Sequence, residues 1–154
     1  MKKELQDKLY EKYPKIFKQK DDNMTTTCLC WGLECGDGWY WIIDNLCDSI
    51  QGYIDANKKE QMEATQVKEK FGSLSFYRSG GDRLIGGMIW LAEHMSYNTC
   101  ELCGSTEDII QTKGWIKIRC KKCLEKEKDI STKDSMSVHD MMFGKIDKEK
   151  ENGN

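Results

Sequence analysis

The sequence predicts an α+β fold: a small sheet packed by two amphipathic helices, followed by a C-terminal ribbon with two cysteine pairs. Three observations predict it. Between residues 39 and 54, Trp39, Ile42, Ile43, Leu46, Cys47, Ile50, Tyr53 and Ile54 recur with the period of a core helix. In residues 62–78, MEATQVKEKFGSLSFYR, Leu74 and Phe76 alternate with Ser73, Ser75 and Tyr77 as in a half-buried strand. Two Cys-x2-Cys pairs, Cys100/Cys103 and Cys120/Cys123, stand sixteen residues apart.

Apolar residues make up 38% of the 154, below the ~45–50% usual for a globular domain. The deficit lies from Asp129 onward, in DISTKDSMSVHDMMFGKIDKEKENGN. The expected organisation is therefore an α/β body over 1–98, a ribbon over 99–128 and a flexible polar tail over 129–154. Five tryptophans and six tyrosines supply large buried areas for one core.

Taken in chain order, Leu5, Leu9 and Tyr13 form a narrow helical stripe that Pro14 ends. MTTTCLCW at 24–31 is β-branched and reads as a strand. The main helix is expected from Asp37, as N-cap, to about Ala56, with Asp44, Asp48 and Asp55 on the face away from the core. Gly72 breaks the alternation between Phe71 and Leu74, which marks either a bulge or, as favoured here, a hairpin turn. Asp82 is expected to cap a second helix running to about Tyr97, packed through Ile85, Met88, Ile89, Ala92 and Met95. Gly86 and Gly87 within it are expected where another backbone or a ligand comes close. In the ribbon, Ile109-Ile110 and Trp115–Ile118 read as two strands joined around Lys113-Gly114.

Charge is unevenly spread. Residues 1–20 carry seven lysines against three acids, and residues 21–64 nine acids against two lysines. The acidic middle would repel a long nucleic acid. No apolar run is long enough to span a bilayer. The start, MKKELQDKLYEKY, is basic without an apolar stretch behind it, so no secretory signal is expected and a cytoplasmic location is. In that reducing compartment cysteine pairs point to metal rather than disulfides.

Cys100, Cys103, Cys120 and Cys123 match the C-x2-C-x15–20-C-x2-C pattern of a zinc ribbon. Zinc takes four thiolates in a tetrahedron, each Cys-x2-Cys turn supplying two. The expectation is one zinc ion, structural because four protein ligands leave no vertex for water or substrate. Lys117, Arg119, Lys121 and Lys122 make the ribbon mildly basic, which suits either a solvated edge or a nucleic-acid contact. Cys28, Cys30, Cys35 and Cys47 can be a second metal site or buried small hydrophobes. Cys35, just ahead of a helix start, is the candidate among them for a reactive thiol.

Two glycine-rich turns precede helices: WGLECGDGW at 31–39 and RSGGDR at 78–83. Helix-start N–H groups and arginines can grip an anion, though a capped helix explains both turns as well. The expected pocket combines Trp31, Glu34, Asp37, Trp39, Phe71, Tyr77, Arg78 and Arg83: aromatics to stack on a base, arginines for phosphate. Neither turn matches a P-loop or dinucleotide fingerprint, and there is no H-E-x-x-H or nucleophile elbow. The two histidines are His94 and His139. A non-catalytic protein is expected; Glu34, Asp37 and Asp82 are the acids or bases an enzyme would use.

YPKIF at 13–17, ECGDGW at 34–39, VKEKFGSLSFY at 67–77, AEHMS at 92–96 and TCELCG…GWIKIRCKKC at 99–123 occur in one order. The combination, over roughly residues 5–124, resembles a family of small proteins encoded by tailed phages and prophages. Members often end the ribbon in Cys-x2-His; Cys123 stands at the matching position and keeps four ligands. The tail after Lys128 departs from the family's compact ending. The resemblance implies a viral protein acting in the bacterial cytoplasm. The expected function is a binding protein that captures a host protein or a small anionic, nucleotide-like ligand, such as an immune signal sequestered in counter-defence. The alternatives are a nucleic-acid-binding regulator using Lys117, Arg119, Lys121 and Lys122, and a hydrolase of a nucleotide signal using Glu34 or Asp37.

Overall fold

The core forms where the periodic faces converge. In a computed structural model, residues 1–134 are described, with side chains to 127; the rest of the expected tail, His139 included, lies outside the described residues. The elements are α1 (Lys3–Lys12), β1 (Leu33–Glu34), α2 (Tyr40–Asn57), β2 (Glu63–Lys70), β3 (Ser73–Ser79), α3 (Arg83–Ser96), β4 (Ile109–Gln111), β5 (Ile118–Cys120) and α4 (Lys121–Asp134). The fold is α+β. One sheet has the order β1-β2-β3, and β4 and β5 form a second. Met1–Cys123 is one compact unit.

The hairpin at 62–78 forms as expected. β2 and β3 pair antiparallel, with Lys70 opposite Ser73. Phe71 and Gly72 connect them, both at positive φ (52° and 83°), the signature of a type I′ turn that matches strand twist. The sheet does carry a register shift, but at Ala64/Gln66 rather than Gly72. β1 adds in parallel, Leu33 opposite Val67.

Residues 24–31 do not form the expected strand. They make turns and a single 3-10 turn at Leu29–Trp31, and the strand is instead Leu33–Glu34. Thr27 explains the bend: its hydroxyl donates to Thr65 O at 2.9 Å and accepts from Leu29 N at 3.1 Å. The local bond from Leu29 N closes a turn at Thr27, and the distant one to Thr65 O pins that turn against β2, in place of the ladder its β-branch would favour.

The main helix also starts later than expected. Asp37–Trp39 is a 3-10 turn, and α2 begins at Tyr40 with Ile42, Ile43, Leu46, Cys47, Ile50 and Ile54 buried. Asp37 is not its cap. Its Oδ1 accepts from Lys2 N at 2.7 Å, and its other oxygen lies 3.2 Å from the Lys2 ammonium. Asp82, by contrast, caps α3 as expected, accepting from Leu84 N and Ile85 N at 3.1 and 3.2 Å. Gly86 and Gly87 mark no close approach of another backbone. A Cβ on Gly87 would meet nothing within 4 Å, and one on Gly86 only Arg78 Nη2 at 3.4 Å.

Among the described residues no helix is long and apolar enough to cross a membrane.

Candidate metal centre

The ribbon folds so that four sulfurs face one point. Gly104, at φ 78°, turns the first cysteine pair back on itself, and Gly104 N donates to Cys100 O at 2.8 Å. The second pair straddles the end of β5 and the first turn of α4. Lys121 N donates to Asp108 O at 3.0 Å and ties that turn to the strand opposite. The Sγ atoms of Cys100, Cys103, Cys120 and Cys123 all lie within 4.8 Å of one another. Cys103 Sγ and Cys120 Sγ are 3.6 Å apart. A tetrahedral ion with metal–sulfur bonds of ~2.3 Å requires sulfur–sulfur edges of about 3.8 Å, whereas a disulfide requires about 2.05 Å. The cluster is sized for an ion.

The thiols' acidities agree. Burial opposes ionisation of Cys100, but N–H groups of Cys120, Cys103 and Leu102 outweigh it and bring the thiol down to about 7. Burial and the three neighbouring sulfurs push Cys123 up to about 12. Cys103 is also raised: Ser105 N–H favours its thiolate, yet burial and the Cys100 and Cys120 sulfurs prevail. Four thiols around one point cannot all ionise beside each other; a divalent cation at the centre reverses this and lets them. These four cysteines can hold one metal ion.

The other four do not assemble. Among the described residues this is the one cluster of metal-ligating side chains. Cys35 and Cys47 are buried in the core, and burial pushes the Cys35 thiol up to about 12 and Cys47 higher still. A reactive-thiol role for Cys35 is therefore corrected: it is a packing residue. Cys28 is exposed, and Cys30 donates to Thr27 O at 3.3 Å.

The first cysteine pair is seated on the ECGDGW segment, and this relation was missed in the sequence. Gly36 N donates to Glu101 Oε1 at 2.9 Å, Gly38 N to Glu101 O at 2.8 Å, and Trp39 Nε1 to Thr99 O at 3.0 Å. A Cβ on Gly36 would fall 2.2 Å from Glu101 O, and one on Gly38 2.2 Å from Cys100 O and 2.4 Å from Gly104 N. The glycines of this turn make room for the cysteine knuckle, and its N–H groups already have acceptors: the Glu101 carboxylate for Gly36 N and the Glu101 carbonyl for Gly38 N. Arg119 Nη1 holds the other Glu101 oxygen at 2.7 Å.

The eight residues expected to form a ligand pocket are not gathered into one. Trp39 is fully buried (0% exposed), which leaves no face for stacking. Asp37 is taken by Lys2, and Glu34 Oε2 accepts from Gln66 Nε2 at 3.2 Å. Arg78 spends its guanidinium on the carbonyls of Gly80, Gly81 and Asp82, so it stabilises the RSGGDR turn instead of gripping phosphate. Arg83 opens α3, and Trp31 is exposed beside β1. Tyr77 lines a threonine-rich cleft with Thr25–Thr27, while Phe71 lines a different one with Trp115 and Ile116. Trp115 does not open the strand expected from the sequence over Trp115–Ile118. β5 begins only at Ile118, so Trp115 sits in the loop and is 81% exposed.

No family model, curated protein or solved structure matches this chain.

Of the basic ribbon residues, Arg119 is buried against Glu101. It is internal to the ribbon and leaves the outward-facing set of a nucleic-acid reading to lysines.

Proposed function

We propose that this chain is a zinc-stabilised binding protein, of the phage-encoded kind its motifs resemble, that captures a small anionic, nucleotide-like ligand in the host cytoplasm. The observation that supports the zinc-stabilised, non-catalytic part of this reading is the metal cluster. Four sulfur donors suit zinc, and they would complete its tetrahedron, so the ion would organise the fold and leave no vertex for substrate. The carboxylates that a hydrolase of the same ligand would use, Glu34 and Asp37, are engaged by Gln66 and Lys2. An immune signal of the bacterial host is a ligand of the right chemistry, which would make the protein a counter-defence factor.

Native mass spectrometry of the reduced protein, purified from phage-infected cells, tests both parts. The expected spectrum shows one zinc per chain and an additional small-molecule mass lost on denaturation. A zinc-free, folded protein would overturn the metal assignment. A bare holo mass that host nucleotide extracts leave unchanged would overturn the capture reading and favour a host-protein partner.

A further inference from the structure

We propose that the cleft between the β2–β3 turn and the β4–β5 loop holds a nucleotide base against Phe71 and Trp115, with its phosphate on neighbouring lysines. This inference rests on the capture reading above and names its site and ligand chemistry.

The two most exposed aromatic rings among the described residues are Trp115, at 81%, and Phe71, at 74%. They come from separate hairpins, yet they line the same cleft of about 310 Å³, together with Glu69, Lys70, Gly114 and Ile116. That volume is at the lower end for small-molecule sites and suits one base with its sugar. Base–aromatic stacking needs only an accessible ring face and tolerates any base.

Phe71 adds nothing to the buried core from this position. It has φ 52°, in a left-handed region where a bulky residue is disfavoured and where a type I′ turn favours Asn, Asp or Gly. An exposed phenylalanine in that place is accounted for by a ligand.

Both tips are held in shape. Thr112 Oγ1 donates to Trp115 O at 2.6 Å and accepts from Lys117 N at 2.9 Å, fixing the loop. A Cβ on Gly72 would lie 2.7 Å from Ile116 Cγ2, so the two tips touch at the cleft floor. Prior ordering of this kind lowers the entropy lost on binding.

The charge is suitable. Lys70 Nζ lies 5.8 Å from the centre of the Phe71 ring, and exposed Lys113 precedes Gly114 in the loop. The acid on the cleft wall, Glu69, has its Oε1 engaged by Gly72 N at 2.6 Å. An ammonium beside a stackable ring is the pairing that single-strand and nucleotide sites use.

A base with its phosphate can arrive as a free nucleotide or within a single strand. Titration calorimetry of the full-length, zinc-loaded protein with AMP and with a dT12 oligonucleotide, at low and at physiological salt, separates the sources. Binding by AMP alone assigns a free nucleotide. Binding by dT12 alone, weakening steeply with salt, assigns a strand. In either arm F71A and W115A are each expected to weaken binding about tenfold or more, and K70Q with K113Q to flatten the salt dependence. Melting temperature and zinc content should stay as in wild type, because both rings are on the surface. Binding that survives F71A and W115A would overturn the cleft and leave the capture reading standing. No binding by AMP or dT12 to protein freed of any copurified molecule would overturn the nucleotide site; a small molecule found in the protein as purified would then leave the capture reading standing.

Discussion

Arg119 Nη1 donates to Glu101 Oε2 at 2.7 Å with both residues buried, and the second Glu101 oxygen accepts from Gly36 N at 2.9 Å. One carboxylate thus joins β5, the first cysteine pair and the turn that leads into α2. Breaking a buried pair by removing one partner strands the other charge and typically costs 3–5 kcal/mol. R119M should therefore destabilise the protein by about that much in urea denaturation. E101Q should lose a comparable amount, because it strands the buried Arg119 guanidinium and turns its amide NH2 toward one of the two donors, Arg119 Nη1 or Gly36 N. Losses below about 1 kcal/mol for both variants would show that the ion pair does not carry the junction.

Substitution at two glycines of the α2 region should move stability in opposite directions. G38A drives a methyl group into Cys100 O and Gly104 N, so it should lower the melting temperature and the metal affinity together. G52A, inside α2 with nothing within 4 Å, removes a helix-interior glycine and should stabilise by up to about 1 kcal/mol. Thermal melts of the two variants beside wild type, with a zinc-release dye in the sample, check both.

Metal removal should reach beyond the ribbon. Structural zinc contributes about 10 kcal/mol of apparent binding energy in small units, and here the knuckle also supplies acceptors to Gly36, Gly38 and the Trp39 indole. Chelation is expected to release Trp39 from Thr99 O and red-shift its fluorescence. Unchanged emission after complete metal loss would separate the metal from the seat.

Acid should act in two stages. Protonation of the four thiolates releases the metal first. The carboxylates follow. Asp37 has some burial against it, but the Lys2 N–H and ammonium hold it below its ordinary value; hydrogen bonds from Gln19 and Lys18 do the same for Glu63, and from Tyr53 and the Ile85 N–H for Asp82. A lowered folded value means that each contribution is complete above the unfolded pKa of about 4 and is lost as pH falls through the folded value. Circular dichroism and dye-detected zinc during one acid titration should show metal loss at higher pH than loss of helix.

Thiol labelling should sort the cysteines by burial. In zinc-loaded protein Cys28, which is exposed, should react with an aromatic disulfide reagent quickly. Cys35 and Cys47, both buried with thiols pushed up, should react only at the rate of unfolding. Mass mapping after short labelling checks the order.

Much of the fold was legible because its signals are local. The α2 stripe, the Asp82 cap and the Phe71-Gly72 hairpin turn each depend on residues within a few positions of one another. Spacing likewise marked the four cysteines, since two Cys-x2-Cys turns have one common use. The 24–31 strand failed because Thr27 bonds to Thr65 O across the sheet, a partner no local window contains.

The sequence alone thus determined the α+β class, the core helices and the metal-ligating set, all written in periodicity and short spacing. Only the tertiary structure decided what the glycines of ECGDGW are for and where open aromatic surface lies. Gly36 and Gly38 meet Glu101 and Cys100 more than sixty residues away, and Phe71 and Trp115 share a cleft across two hairpins. Such neighbours are set by how elements pack, and packing at a distance leaves no periodic trace in the chain.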